Sequence, residues 1–308
     1  MNQPPTPTNF RLFIRFIHPW MLLAGIVSYI LGSGIARYLG FAILDIRFWG
    51  GMLAVILLQL ASYLLKLYYD LEEAGGPLGQ IRRDLEDIDK ISALRISKPS
   101  ILFLSFTVLT AGAAITVMLV AQGAIHFSGV LILGAAFLLS FFYGVPPLRL
   151  AHKGYGELSE AVLISSLFPA LGFIIQTGDL HRLLAMVTFP LLALFLAMRL
   201  AQSLEHYGRD QKLAHQTMMI VLGWQRGMRF HNVLILIGYL LLVMALTFGL
   251  PWSLTWPGLL TLPVGLFQIF QMTRIANGGR PSWRLLRLTS LATFGLTLYF
   301  LTLAIWTV

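Results

Sequence analysis

The chain is 308 residues long, 57% of them apolar and 11% charged, with a mean hydropathy of +0.78 and a formal net charge of +9. A soluble domain carries about 25% charged residues, and so little polar material cannot cover a globular surface in water. Long unbroken apolar runs exclude a β-barrel, whose strands alternate over about ten residues. The absence of cysteine excludes disulfides, thiolate metal sites and cysteine nucleophiles.

The polar, proline-rich stretch Met1–Asn9 carries no short apolar run ending in a cleavage site, so no signal peptide is expected. Nine apolar segments follow, at about 19–38, 48–69, 100–121, 125–144, 157–176, 183–203, 231–250, 255–273 and 286–307. Each is long enough to cross about 30 Å of hydrocarbon, which takes about 20 helical residues. Short connections such as Gln122–Ala124 and Pro251–Leu254 make those neighbours antiparallel hairpins.

Basic residues fix the orientation, because loops on the cytoplasmic side collect Lys and Arg. With the N-terminus inside, 19 of the 22 Lys and Arg fall on that side, and only Arg37, Arg47 and Arg182 on the other. The expected topology is N-terminus in the cytoplasm and C-terminus outside. Positive-inside charge then accounts for the +9, and no nucleic-acid partner is expected. The same side holds two long connections, about Asp70–Pro99 and Ser203–Phe230. The first carries seven of the 13 carboxylates and is interrupted by Gly75, Gly76, Pro77 and Gly79.

Spans two and six each carry a polar stripe inside apolar sequence, which is costly in a membrane. In span two it comprises Gln59, Ser62, Tyr63, Lys66 and Asp70; in span six, Arg199, Gln202, Ser203, His206 and Asp210. Both have the spacing i, i+3, i+4, i+7, i+11 of one helical face. They are offset by 140 residues at every position, which reads as an internal parallel repeat within a single nine-helix domain spanning 1–308. Ser62, Ser203 and Gln59 fit equally well as hydrogen-bonding glue between helices. Lys66, Arg199 and His206 point to a site, since cations there call for an anionic partner.

The segment Tyr143-Gly-Val-Pro-Pro-Leu-Arg149-Leu-Ala-His-Lys153-Gly-Tyr-Gly156-Glu157 is similar to the Tyr…Pro-Leu-(Lys/Arg)…Gly-x-Gly-Glu stretch of the UbiA superfamily of intramembrane prenyltransferases. Arg15-Phe-Ile-His18-Pro19, Arg95-Ile-Ser-Lys98-Pro99 and Thr217-Met-Met-Ile-Val-Leu-Gly223 also resemble that family, most of all its 1,4-dihydroxy-2-naphthoate polyprenyltransferase branch. The resemblance covers nearly the whole chain. It departs in the two aspartate motifs. The family pattern Asn-Asp-x-x-Asp-x-x-x-Asp falls on Lys66, Leu67, Asp70 and Ala74, and Asn-x-x-x-Asp-x-x-x-Asp on Gln202, His206 and Asp210. Each motif keeps one aspartate.

The resemblance implies an all-α bundle of nine transmembrane helices around a polar pocket facing the cytoplasm, in a bacterial cytoplasmic membrane. It implies transfer of a polyprenyl chain from its diphosphate to an aromatic or other lipid-soluble acceptor, as in menaquinone biosynthesis. Asp70 and Asp210 would hold Mg²⁺, which neutralises the departing diphosphate. Lys66 and His206 complete the catalytic candidates. Arg149, Lys153, Arg199, Gln202, Tyr143 and Glu157 are the substrate-binding candidates, and Asp84, Asp87 and Asp89 could fold back over the site. The alternative is an inactive homologue that binds a quinone, carotenoid or other lipid, as part of a membrane complex. A transporter is a weaker third, because the repeat is parallel rather than inverted.

The topology has a direct test. Tags at Gly76 and Gly208 are expected to be reachable only from the cytoplasmic side, and tags at Ser253 and Gly178 only from outside. Gly76 and Gly208 on opposite faces would overturn both the repeat and the orientation.

Overall fold

A computed structural model of the chain describes residues 18–74, 98–123, 125–212 and 215–308. Among these, ten helices run in order: α1 Pro19–Tyr38, α2 Asp45–Ala74, α3 Lys98–Ala121 and α4 Phe127–Gly144. A 3₁₀ turn at Leu150–His152 leads into α5, Gly156–Thr177, and then come α6 Arg182–Lys212 and a short α7 Met218–Leu222. The chain ends with α8 Trp224–Thr247, α9 Trp252–Ala276 and α10 Trp283–Thr307. All but α7 are long and apolar enough to cross a membrane, which gives nine candidate spans among the described residues. The N-terminal Arg11 and Arg15 and the loop carboxylates Asp84, Glu86, Asp87 and Asp89 lie outside the described residues.

α5 and α6 are the most buried spans and form the centre, with α3, α4 and α9 toward the lipid. α2 packs chiefly on α3 and α6 on α8, while α1 lies along α5. Between membrane helices there is no hydrophobic drive, so close van der Waals contact at small residues holds them together. At the α1–α5 seam a Cβ on Gly32 would stand 1.9 Å from the carbonyl oxygen of Pro169, and one on Gly172 2.2 Å from that of Tyr29. Backbone meets backbone there, and the Ser33 hydroxyl donates to the Gly172 carbonyl at 3.1 Å. Within α5 the residues Leu163–Leu167 are π-helical, immediately before Pro169, whose ring nitrogen has no proton to continue an α ladder.

Two helices run well past the apolar segments that announce them. Span two extends to Ala74 and span six to Lys212, so Asp70 and Asp210 sit on helices rather than in loops. α8 begins at Trp224, seven residues before its apolar run, and with α7 and the end of α6 it fills most of the connection read as a loop over 203–230. Hydropathy marks where the lipid ends, whereas helical hydrogen bonds continue into polar sequence at no such boundary.

The end of α4 is fixed against α2 by Gly144, where a Cβ would lie 2.5 Å from the Lys66 Cα. Gly144→Ala is expected to force the two helices apart, at a cost of about 1–3 kcal/mol for overpacking. Gly134→Ala on the same helix, with nothing within 4 Å of the added methyl, is the control. Thermal melts in detergent followed by circular dichroism should show a drop for the first variant only.

Candidate active site

The five polar residues of the α2 stripe lie along one face of the helix. Gln59, Ser62 and Tyr63 are buried, and the Gln59 amide donates to the Met21 carbonyl at 2.8 Å, which ties α2 to α1. One turn further on, Lys66 pairs with Asp70 through Nζ–Oδ2 at 2.7 Å. The other carboxylate oxygen, Oδ1, receives Arg149 Nη2 at 3.3 Å and His152 Nε2 at 2.9 Å. Arg149 holds a left-handed backbone conformation, φ +42°, which costs a non-glycine residue about 1–2 kcal/mol. That turn starts the 3₁₀ segment and brings both Arg149 and His152 onto Asp70.

His152 lies outside the spanning helices. Burial holds its imidazole below the ordinary range, although the Asp70 carboxylate pulls the other way. A carboxylate can only accept, so His152 Nε2 carries the proton, and Nδ1 is buried with no hydrogen-bond partner among the described residues.

The α6 stripe divides. Arg199 forms an ion pair with Glu160, Nε to Oε2 at 2.7 Å, and donates from Nη1 to Gln202 Oε1 at 3.1 Å. The other Glu160 oxygen accepts the Tyr143 hydroxyl at 2.8 Å, and the Tyr143 ring meets Tyr63 edge-on at 6.4 Å between centroids. A chain of contacts thus joins the two stripes: Tyr63, Tyr143, Glu160, Arg199, Gln202. Glu157, one turn before Glu160, accepts the Ser203 hydroxyl at 2.7 Å and the Met218 backbone N–H at 3.1–3.2 Å. Those bonds clamp α5 to α6 and α7 and leave Glu157 buried.

Asp210 is also buried, with Oδ1 3.9 Å from His215 Nδ1 and 4.0 Å from Arg209 Nε. The His215 ring packs edge-on against His152, 4.9 Å between centroids. The two retained aspartates therefore flank a pair of histidines in the order Asp70, His152, His215, Asp210. Lys153 is exposed, its Nζ donating to the Pro147 carbonyl at 2.9 Å, and its backbone bridges to Gln216 beside His215. His206 is exposed on α6 and joins none of these contacts.

Sequence reasoning named Asp70, Asp210, Lys66, His206, Arg149, Lys153, Arg199, Gln202, Tyr143 and Glu157; of these Lys66 and Arg149 meet Asp70, Tyr143 and Arg199 meet at Glu160 with Gln202 beside them, and His206 stands apart. Glu160, His152 and His215 were missed. Glu160 had a signal: Arg199 needed an anion inside the membrane, and Glu160 is an acid inside an apolar run. The histidines gave none, since neither belongs to a periodic stripe.

Nine apolar helices among the described residues, with a half-buried charged cluster at one end, define an integral membrane protein. The UbiA prenyltransferase family profile matches residues 86–294, and the chain belongs to that family. It is 23% identical over 227 residues to 1,4-dihydroxy-2-naphthoate octaprenyltransferase of Bacillus subtilis, which spans 71% of this chain and 68% of that protein. A UbiA homologue from Archaeoglobus fulgidus, solved with GPP and Mg²⁺, superposes with a TM-score of 0.67 at 15% identity, over 96% of this chain and all of that one. The same archaeal protein with DMAPP and Mg²⁺ gives 0.63 at 14% identity, over 96% and 99% of the two chains. A digeranylgeranylglyceryl phosphate synthase structure gives 0.65 at 13% identity, over 97% and 99%.

The Glu160–Arg199 pair gives the second structural test. Breaking a buried pair by removing one partner leaves an uncompensated charge and costs about 3–5 kcal/mol. Glu160→Leu and Arg199→Leu are each expected to lower the melting temperature sharply. The double variant should melt above either single one.

Proposed function

We propose that the protein transfers a polyprenyl chain from its diphosphate to an aromatic or other lipid-soluble acceptor. The observation that carries this reading is the half-buried Asp70 cluster with Lys66, Arg149 and His152, an assembly of phosphate-binding donors at the end of an otherwise apolar bundle. Family membership supports it, as do the prenyl diphosphates bound by the archaeal relative. The relative from Bacillus subtilis supports an acceptor of the naphthoate type and a place in quinone formation.

In this reading the diphosphate lies across Lys66 and Arg149, with Lys153 at the rim. The allylic C1–O bond breaks and both electrons leave with the diphosphate. An acceptor ring carbon forms the new bond to C1 and releases its proton to solvent. The faces of Tyr63 and Tyr143 border a small gap beside Gln59 and Glu160, where an aromatic quadrupole favours a developing allylic cation. Further along α2 an apolar cavity of about 320 Å³, lined by Gly51, Ala54, Leu58, Gly112, Phe137 and Leu171, has the chemistry of a lipid tail. The cluster opens to the cytoplasm in the orientation that the basic residues favour, and the two polar stripes are the halves of the internal repeat.

Magnesium is bound by the archaeal relative. The side chains described here do not make such a site by themselves. Both oxygens of Asp70 are already engaged by cations, and no group of three or more acids or histidines with metal-binding geometry occurs among the described residues. No step is therefore assigned to a metal.

Purified protein given radiolabelled geranyl or longer prenyl diphosphates and a panel of hydroxylated naphthoates and benzoates is expected to release diphosphate and form a prenylated product. Arg149→Gln should lower the rate by about tenfold or more, the worth of a lost charge-assisted hydrogen bond. A tightly held lipid in the purified protein, with no diphosphate released from any donor, would identify a lipid-binding homologue instead.

A further inference from the structure

We infer that this chain binds the diphosphate of its substrate with its own side-chain cations in place of magnesium, and that Asp70 is a positioning residue for those cations rather than a metal ligand. The inference rests on the prenyl diphosphate reading above and goes beyond it. Its first support is the donor set. A divalent ion needs carboxylate oxygens with free lone pairs, and Asp70 gives its own to Lys66 at 2.7 Å, His152 at 2.9 Å and Arg149 at 3.3 Å. Asp210 Oδ1 has Arg209 and His215 at 4.0 and 3.9 Å, beyond hydrogen-bond reach, so among the described residues Asp210 stands as a single carboxylate and not as part of a metal cluster. The oxygens of Glu157 and Glu160, like those of Asp70, are engaged by protein groups through hydrogen bonds and an ion pair.

The second support is a gain in positive charge. Against the motifs that the sequence resembles, the chain lacks three aspartates, at Leu67, Ala74 and His206, and gains an ammonium at Lys66. At the α2 turn beside Asp70, the ammonium at Lys66 and the missing aspartate at Leu67 together make the site more positive by two charges. The added cation stands one helical turn from the retained aspartate and is held in a fixed direction by it.

Geometry gives the third. Lys66 reaches Asp70 from α2, while Arg149 and His152 reach it from the turn after α4, and Gly144 is what lets these two elements meet. Arg149 pays for its place with a left-handed backbone, the kind of strain that persists only where the surroundings enforce it. A planar guanidinium beside an ammonium, oriented in advance by a shared carboxylate, matches a diphosphate as a metal-free receptor.

The experiment is binding, which needs no turnover. Geranyl diphosphate is titrated into the full-length protein in lipid nanodiscs by isothermal calorimetry, once in EDTA and once in Mg²⁺. The expected dissociation constants agree within about threefold, the ordinary spread of such comparisons. Lys66→Gln is expected to weaken binding in EDTA by about tenfold or more, and Lys66→Arg to restore most of it. Asp70→Asn, which releases Lys66 and Arg149 from their shared carboxylate, is expected to change binding by the same factor in EDTA and in Mg²⁺, whereas loss of a metal ligand would weaken it in Mg²⁺ alone. Binding that requires Mg²⁺ and is abolished by Asp70→Asn would overturn the inference and leave the prenyl diphosphate reading intact. No binding of geranyl diphosphate in either buffer would overturn both. Wild type, Lys66→Arg and Asp70→Asn decide the matter even if Lys66→Gln does not fold.

Discussion

An ionised carboxylate at the edge of a hydrocarbon slab is tolerable only beside a cation and hydrogen-bond donors, and Asp70 has three such neighbours. Much of the surrounding structure follows from supplying them. Lys66 comes from the same helix at the i−4 position, which needs no tertiary arrangement. Arg149 and His152 come from a turn that must close tightly after α4, and this demands the positive φ at Arg149 and the close approach at Gly144. At 4 Å and an effective dielectric of about 20, each unit-charge pair is worth about 4 kcal/mol before desolvation is subtracted. The turn itself contributes one such pair, from Arg149, and the His152 hydrogen bond, and these two contacts hold it against Asp70.

The Glu160–Arg199 pair does the same work deeper in the bundle. It joins α5 to α6, the two most buried spans, and the Tyr143 hydroxyl extends the network to α4. Buried ion pairs of this kind add little net stability, because desolvation takes back what attraction gives. Their effect is on register. A one-turn slip of α6 would carry Arg199 away from Glu160 and strand both charges in lipid, which no compensating contact could match. The polar network therefore specifies which helical faces meet, while glycines at the α1–α5 seam decide how closely.

This division explains what could be read from residue order. The nine spans were legible because hydrocarbon thickness imposes a length and a composition on each. The stripe from Gln59 to Asp70 and its counterpart from Arg199 to Asp210 were legible because helical periodicity survives in sequence. Glu160 was readable in principle as an acid in an apolar run, but its pairing with Arg199 crosses two helices and leaves no spacing to detect. His152 and His215 sit in turns, where position depends on backbone conformation rather than on period. The helix ends at Ala74 and Lys212 escaped for a different reason, since the hydropathy signal stops where water begins and the hydrogen-bond ladder does not.

A receptor that carries its own cations faces a difficulty that a metal-loaded one avoids. With no ligand present, an ammonium and a guanidinium a few ångströms apart repel each other in a medium that screens poorly, and no ion can leave to relieve them. A single carboxylate between them solves this, since Asp70 offsets one of the two charges and sets the direction of both. The same carboxylate opposes the incoming diphosphate, so it reduces affinity as well as organising the site. His152 moderates that opposition. Its partial burial disfavours the charged imidazole, and its Nε2–H donates to Asp70 and draws density from the carboxylate. The retained aspartate is thus explained by the empty state of the site, in which its cations must be held apart and aimed, and not by any need of the bound state for oxygen ligands.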